Sequence, residues 1–149
     1  MKQLTIILLF CALGFSQELK VEERKVDIIW SNNLDSAFAV ASVNNKIIMI
    51  DFMAEWCPPC KRMSKEVFPN TKIINRTENF IPIKIDIEKQ KDIAEKYNAN
   101  ARKYGGIGIP NILFINKNQD IIHHIVGFHN VDRLMGIMDS ISMNLYKKK

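Results

Sequence analysis

Cys57-Pro58-Pro59-Cys60 is the stretch of this chain whose residue types and spacing could do chemistry. Two thiols separated by two residues can close to a disulfide and open again, so the pair reads as a redox dithiol. The attacking species in such chemistry is a thiolate. Proline is tolerated in a first helical turn, where its missing N–H had no intrahelical partner, so Pro58 and Pro59 predict a helix starting at the cysteines. A cysteine at that start feels unpaired N–H groups and the positive end of the helix dipole, which lower a thiol pKa from about 8.5 into the range ~3.5–7.5. Cys57 precedes the first turn and is expected near the surface as the nucleophile. Cys60 shares a face with Met63 and Val67 at i+3 and i+7 and is expected to turn toward the core. Pro59 has no N–H, so the Cys60 amide is the expected donor to the Cys57 sulfur. When Cys60 resolves a mixed disulfide it must lose its proton, and an acid kept partly protonated by burial could accept it. Asp51 is the candidate, because it stands in the otherwise apolar run before the cysteines.

The elements that must position these groups follow from periodicity. Ile47 to Ile50 form a continuous apolar run, predicting a strand over 46–52 that is buried on both faces. Upstream, 26–30 reads as a short first strand, and Ser31, Asn32 or Asn33 as the cap of a helix through Leu34, Phe38, Ala41 and Val43, ended by Asn44-Asn45. Phe68-Pro69-Asn70 should break the cysteine helix, with a second helical piece over 71–79. Ile81, Ile83, Ile85 and Ile87 alternate with polar residues or Pro82, which predicts a strand. A polar helix carrying Ile93, Ala94 and Tyr97 follows, then a glycine-rich loop from Gly105 to Gly108 into Ile109-Pro110. Ile112–Ile115 and 121–126 read as a hairpin around Asn116 to Asp120. Asn130 should cap a last helix with Leu134, Ile137, Met138, Ile141 and Leu145 inward.

The chain of 149 residues with 47% hydrophobic content fits one globular domain, and 25% charged residues exclude the composition of a disordered chain. The formal charge of +5 is mild. Lys147 to Lys149 read as a solvated tail, so no nucleic-acid partner is expected. Residues 1–16 have the pattern of a secretory signal peptide: Lys2, an apolar run from Leu4 to Phe15 too short to cross a bilayer, and Gly14 and Ser16 as small residues before cleavage. An uncleaved leader would instead anchor the protein to the membrane. Residues 17–25 form a charged N-terminal arm and 26–149 the domain. Cys11 leaves with the leader; Phe10 before it is too large for a lipid-modification site. The mature chain then holds only Cys57 and Cys60, which are too close to staple distant parts of a fold, so their role is chemical.

These residues resemble the thioredoxin superfamily over roughly 26–145. The carrying motifs are Ile50-Asp51-Phe52 running into Ala54-Glu55-Trp56-Cys57-Pro58-Pro59-Cys60-Lys61, the Lys84 strand, and Lys103-Tyr104-Gly105 through Gly108-Ile109-Pro110. Met63 to Phe68, Asn79 to Asp86 and Val126-Gly127-Phe128 look most like exported members, including the C-terminal domain of the membrane thiol:disulfide interchange reductase. The resemblance implies an α/β thioredoxin-like sandwich with a central mixed β-sheet flanked by helices. It implies Lys84 as the partner of Asp51, a cis Pro110 facing the sulfurs, Ile109 presenting backbone to an extended substrate, and Trp56 as an apolar lip beside Cys57, with Pro58 and Pro59 completing the substrate surface. Pro58 stands where the family most often has glycine, and Met53 where it often has tryptophan. Both changes lie at the site and bear on the reduction potential.

The expected function is a protein-disulfide reductase acting on disulfide-containing exported proteins, most simply in the periplasm. No glycine-rich phosphate loop and no flavin or nicotinamide signature is present, so no cofactor beyond the redox-active Cys57-Cys60 pair is expected, and electrons must come from an upstream thiol donor such as a membrane reductase. A monomer is expected. An oxidase or isomerase of the same fold is the alternative; a Cys-x-x-Cys metal module is a weaker one, since two thiolates are too few for a closed zinc site. His123 and His124 are adjacent and point to opposite faces of a strand, and His129 sits beyond a turn, so no metal is assigned to them.

Overall fold

The computed structural model describes residues 27–147. The leader, the arm and Cys11 lie outside the described residues. The apolar run becomes strand β1 at Ile47–Met53, with every residue but the last buried. It pairs in parallel with β2 at Phe80–Asp86, in a register that sets Asp51 opposite Lys84, and antiparallel with β3 at Asn111–Ile115. Strand β4 at Ile121–Val126 closes the hairpin on β3, with an irregularity between Phe114 and Ile115. The result is one mixed sheet of order β2-β1-β3-β4.

The predicted strand over 26–30 does not form within the described residues; a single parallel bridge joins Ser31 to Ile83. Ser31 N donates to the Pro82 carbonyl at 3.1 Å and Lys84 N donates to the Ser31 carbonyl at 2.8 Å. The next rung would bring the Ile29 carbonyl to an N–H at position 82, and proline has none. Pairing therefore stops after one residue, and Ile29 is left 90% exposed.

Among the described residues, five α-helices flank the sheet: α1 at Leu34–Asn44, α2 at Pro58–Arg62, α3 at Thr71–Thr77, α4 at Lys91–Lys96 and α5 at Val131–Lys147. Asn33 caps α1 by accepting from Ser36 N at 2.9 Å, and Asn130 caps α5 by accepting from Arg133 N at 3.0 Å. Helix α1 runs through Val43 as expected, with the Val43 side chain exposed. One feature was not foreseen: α2 runs into a π-turn at Met63–Val67, where Phe68 N donates five residues back to the Met63 carbonyl at 3.0 Å. Pro69 then ends the segment, and Asn70 restarts the chain as α3, accepting from Lys72 N at 3.0 Å.

Alternation along β1 divides the core. Ile48, Ile50 and Phe52 pack with Leu34, Ala37 and Ala41 of α1 and with Ile83 and Ile85. Ile47 and Met49 pack with Met63, Val67 and Phe68, and with Leu134, Met138 and Ile141 of α5. The sheet is thus covered on both faces, which is why β1 reads as an unbroken apolar run in which Asp51 alone is charged.

Candidate active site

The site is built where β1 ends and α2 begins. After Met53 the chain turns through Ala54, whose carbonyl accepts from Cys57 N at 3.1 Å. Cys57 is the N-cap residue in extended conformation (φ −83°, ψ 107°), with Pro58 and Pro59 in the first turn, so the Cys60 amide reaches the Cys57 sulfur at 3.2 Å. The two cysteines are joined as a disulfide with Cα atoms 5.3 Å apart. Cys60 is buried as expected, but Cys57 is equally so, at 2% exposed, which corrects the expectation of a near-surface nucleophile. In the closed disulfide its sulfur is tucked against the first turn of α2. What distinguishes the two is the groove beside them: Cys57 lines it and Cys60 does not.

That groove has a volume of about 440 Å³. Trp56, Pro58, Pro59 and Ile109 line it with Cys57, and Trp56 remains 40% exposed at its rim. The Ile109–Pro110 peptide is cis. Pro110 itself is buried, and its carbonyl accepts from Gly127 N at 2.7 Å, which ties the loop to the end of β4.

Asp51 is 2% exposed, and its Oδ2 lies 3.8 Å from Lys84 Nζ. Its Oδ1 is buried without a hydrogen-bond partner. Burial raises its pKa from the ordinary 3.8 to about 6, while the Lys84 ammonium pulls in the opposite direction. The register of β1 with β2 brings this pair together. Two groups that sequence reasoning missed frame it: Lys84 Nζ sits 4.5 Å from the Trp30 ring centroid and 5.4 Å from that of Phe68. Trp30 comes from the segment before α1 and Phe68 is the residue that caps the π-turn, so no local pattern joins them to Lys84.

Two further groove residues were missed. Arg102 and Lys103 enter from the short 3₁₀ turn at Arg102–Tyr104, and Lys103 Nζ lies 3.8 Å from the Trp56 ring centroid. Their nearness in sequence to Ile109-Pro110 was the available signal. The histidines separate as predicted from the strand pleat: His123 lies beside Phe114, whereas His124 hydrogen-bonds through Nε2 to Asn111 Oδ1. Buried His129 bonds through Nδ1 to the Gly127 carbonyl at 3.1 Å. Among the described residues no group of three or more His, Cys, Asp or Glu side chains is placed to hold a metal ion.

A mixed sheet covered on both faces, carrying a Cys-x-x-Cys disulfide at a helix start beside a cis-proline loop, defines the thioredoxin-fold class of thiol:disulfide oxidoreductases. The chain belongs to the thioredoxin-like domain family, whose model matches residues 34–142. It is 28% identical over 104 residues to the thiol:disulfide interchange protein DsbD of Campylobacter jejuni, a match that covers 70% of this chain but only 18% of that protein. It is 31% identical over 108 residues to a thioredoxin of Echinococcus granulosus, covering 72% of this chain and 87% of that one. Its fold is similar to that of the oxidised C-terminal domain of DsbD from Neisseria meningitidis, with a TM-score of 0.56 and 18% identity over 75% of this chain and 98% of that one.

Proposed function

We propose that this protein is a protein-disulfide reductase of exported proteins, with Cys57 as the attacking thiolate and Cys60 as the resolving thiol. The observation that carries the reading is the placement of the Cys57 sulfur, which accepts the Cys60 N–H at a helix start and borders an open groove while Cys60 does not. In the reduced protein the same amide and the helix dipole favour the Cys57 thiolate. That thiolate attacks one sulfur of a client disulfide; the client S–S bond breaks as a Cys57–client bond forms. Cys60 then passes its proton to Asp51, attacks the Cys57 sulfur and releases the client as a dithiol, leaving the protein oxidised. Two electrons move per cycle, and a second dithiol protein must return them.

Lys84 holds the charge of Asp51 within reach of neutral pH, and Ile109 offers backbone to an extended client segment, with Trp56, Pro58 and Pro59 as its apolar surround. The likeness to DsbD supports an exported, periplasmic setting with a membrane thiol reductase as electron donor. It fits a leader at 1–16, cleaved or retained as an anchor, and a protein that works as a monomer. Replacing Cys60 with Ser in the full chain removes the resolving step. Disulfide-linked complexes through Cys57 are then expected to accumulate in cells and to disappear when Cys57 is also replaced. Absence of such complexes sinks the reductase reading. A measured reduction potential well above that of the compartment's thiol pool would reverse the direction of electron flow to oxidase or isomerase.

A further inference from the structure

Lys84 Nζ lies 3.8 Å from Asp51 Oδ2, beyond hydrogen-bond reach, so no directed bond fixes the ammonium to the carboxylate. Two rings hold it instead. The Trp30 centroid is 4.5 Å from Nζ and that of Phe68 is 5.4 Å, and the two rings pack edge to face at 5.0 Å. The single bridge at Ser31 sets this geometry: Ser31 N donates to the Pro82 carbonyl and Lys84 N donates to the Ser31 carbonyl, so the neighbour of Trp30 is bonded to the backbone of Lys84 itself. Phe68 is buried, whereas the Lys84 side chain keeps 28% exposure, an opening through which a long, flexible side chain reaches water. Other charges nearby turn elsewhere. Asp86, two residues along β2, pairs with Lys89; Arg62 of α2 pairs with Glu66, and Asp139 of α5 with Arg76. Buried His129 bonds to the Gly127 carbonyl. Among the described residues, the charge that acts on Asp51 is that of Lys84.

We propose that Trp30 is a positioning residue: with Phe68, its ring holds the Lys84 ammonium beside Asp51, the acceptor of the Cys60 proton. The inference rests on the reductase reading above and adds to its machinery two residues outside the groove that Cys57 lines. The electron-rich face of an aromatic ring attracts a cation, and that of tryptophan does so most strongly. An ammonium kept at the rings keeps its pull on the Asp51 carboxylate, which opposes the burial that raises Asp51 to about 6. Without the rings the ammonium swings out to water, where it is hydrated and its pull is screened. Asp51 then keeps its proton to higher pH, and Cys60 loses an ionised acceptor over that range.

The test follows the Asp51 carboxyl carbon by NMR across pH in the oxidised full chain, which reads the carboxylate without any turnover. Trp30→Leu should raise its inflection by about half to one pH unit. Unfolding would instead carry Asp51 down toward the ordinary 3.8, so a rise cannot come from it. Trp30→Phe keeps a ring and should stay close to the parent. Replacing the Trp30 side chain alone with its tetrafluoro analogue keeps the shape but depletes the negative ring face, and it too should raise the inflection. Lys84→Met should raise it at least as far, and Trp30→Leu added to Lys84→Met should raise it no further, because the ring acts through the ammonium. The low-pH limb of disulfide-peptide reduction should move upward in the same order. An inflection unmoved by fluorination, or a further rise from Trp30→Leu in the Lys84→Met protein, overturns the inference. Neither result touches the reductase reading, which fails instead if the unmodified, pre-reduced protein reduces no disulfide peptide at any pH.

Discussion

Asp51 is a single carboxylate on which stability and chemistry pull in opposite directions. In the fold its pKa is about 6, against an ordinary 3.8, because burial disfavours its charged form more than Lys84 favours it. Between those two values the folded protein binds more protons than the unfolded chain, so stability falls as pH rises and the whole penalty is present above about pH 6. At ~1.4 kcal/mol for each tenfold difference in acidity, that penalty is roughly 3 kcal/mol at most. Asp51→Asn removes it. The variant should be more stable than the parent by about 1–3 kcal/mol at pH 8, with the gap closing toward pH 4, in urea denaturation followed across pH. Its turnover of disulfide substrate should drop over the same pH range, because Cys60 loses its proton acceptor; an unchanged rate would remove Asp51 from the mechanism. The burial of Asp51 was legible from one acid in an apolar run. The aromatic flanks of Lys84 were not, since Trp30 and Phe68 meet it only through the fold.

Among the elements, the loop joining α4 to β3 has the most exacting geometry. A Cβ at Gly106 would fall 2.1 Å from the Asn100 carbonyl oxygen, and Gly108 holds φ +119°, a conformation that side chains resist. Gly106→Ala must displace backbone rather than a side-chain tip. A loss of about 1–3 kcal/mol in urea denaturation is expected, together with slower client reduction because the shifted loop carries Arg102, Lys103 and Ile109. A variant with parental stability and rate would show that the loop relaxes freely. Glycines at 105, 106 and 108 announced a loop in the sequence, yet nothing local announced which of them is pressed against backbone. Strong periodicities, in β1, β2 and α5, were legible, and so was the capping by Asn33 and Asn130. The π-turn was not, because an i+5 hydrogen bond leaves little trace in hydrophobic spacing. The first strand failed for a reason no single window contains: its partner position is Pro82, some 50 residues downstream.

For the whole molecule, the order β2-β1-β3-β4 buries the site-bearing strand at the centre and leaves β2 and β4 at the margins. The same ring at Pro82 that ends the bridge from Ser31 has a bearing on how these molecules behave in a crowd. An exposed strand margin is a template for another chain, because its outward N–H and C=O groups lack strand partners. Ser31 occupies one rung, and the missing N–H of Pro82 denies an incoming strand the next. Pro82→Val restores that donor. New slow-exchanging amides near Ile29 and position 82 are expected, with greater light scattering during refolding at high protein concentration; scattering equal to the parent's would show that this margin is protected by other means. The proline that weakens the predicted strand thus withholds the donor that an incoming strand would need at this margin.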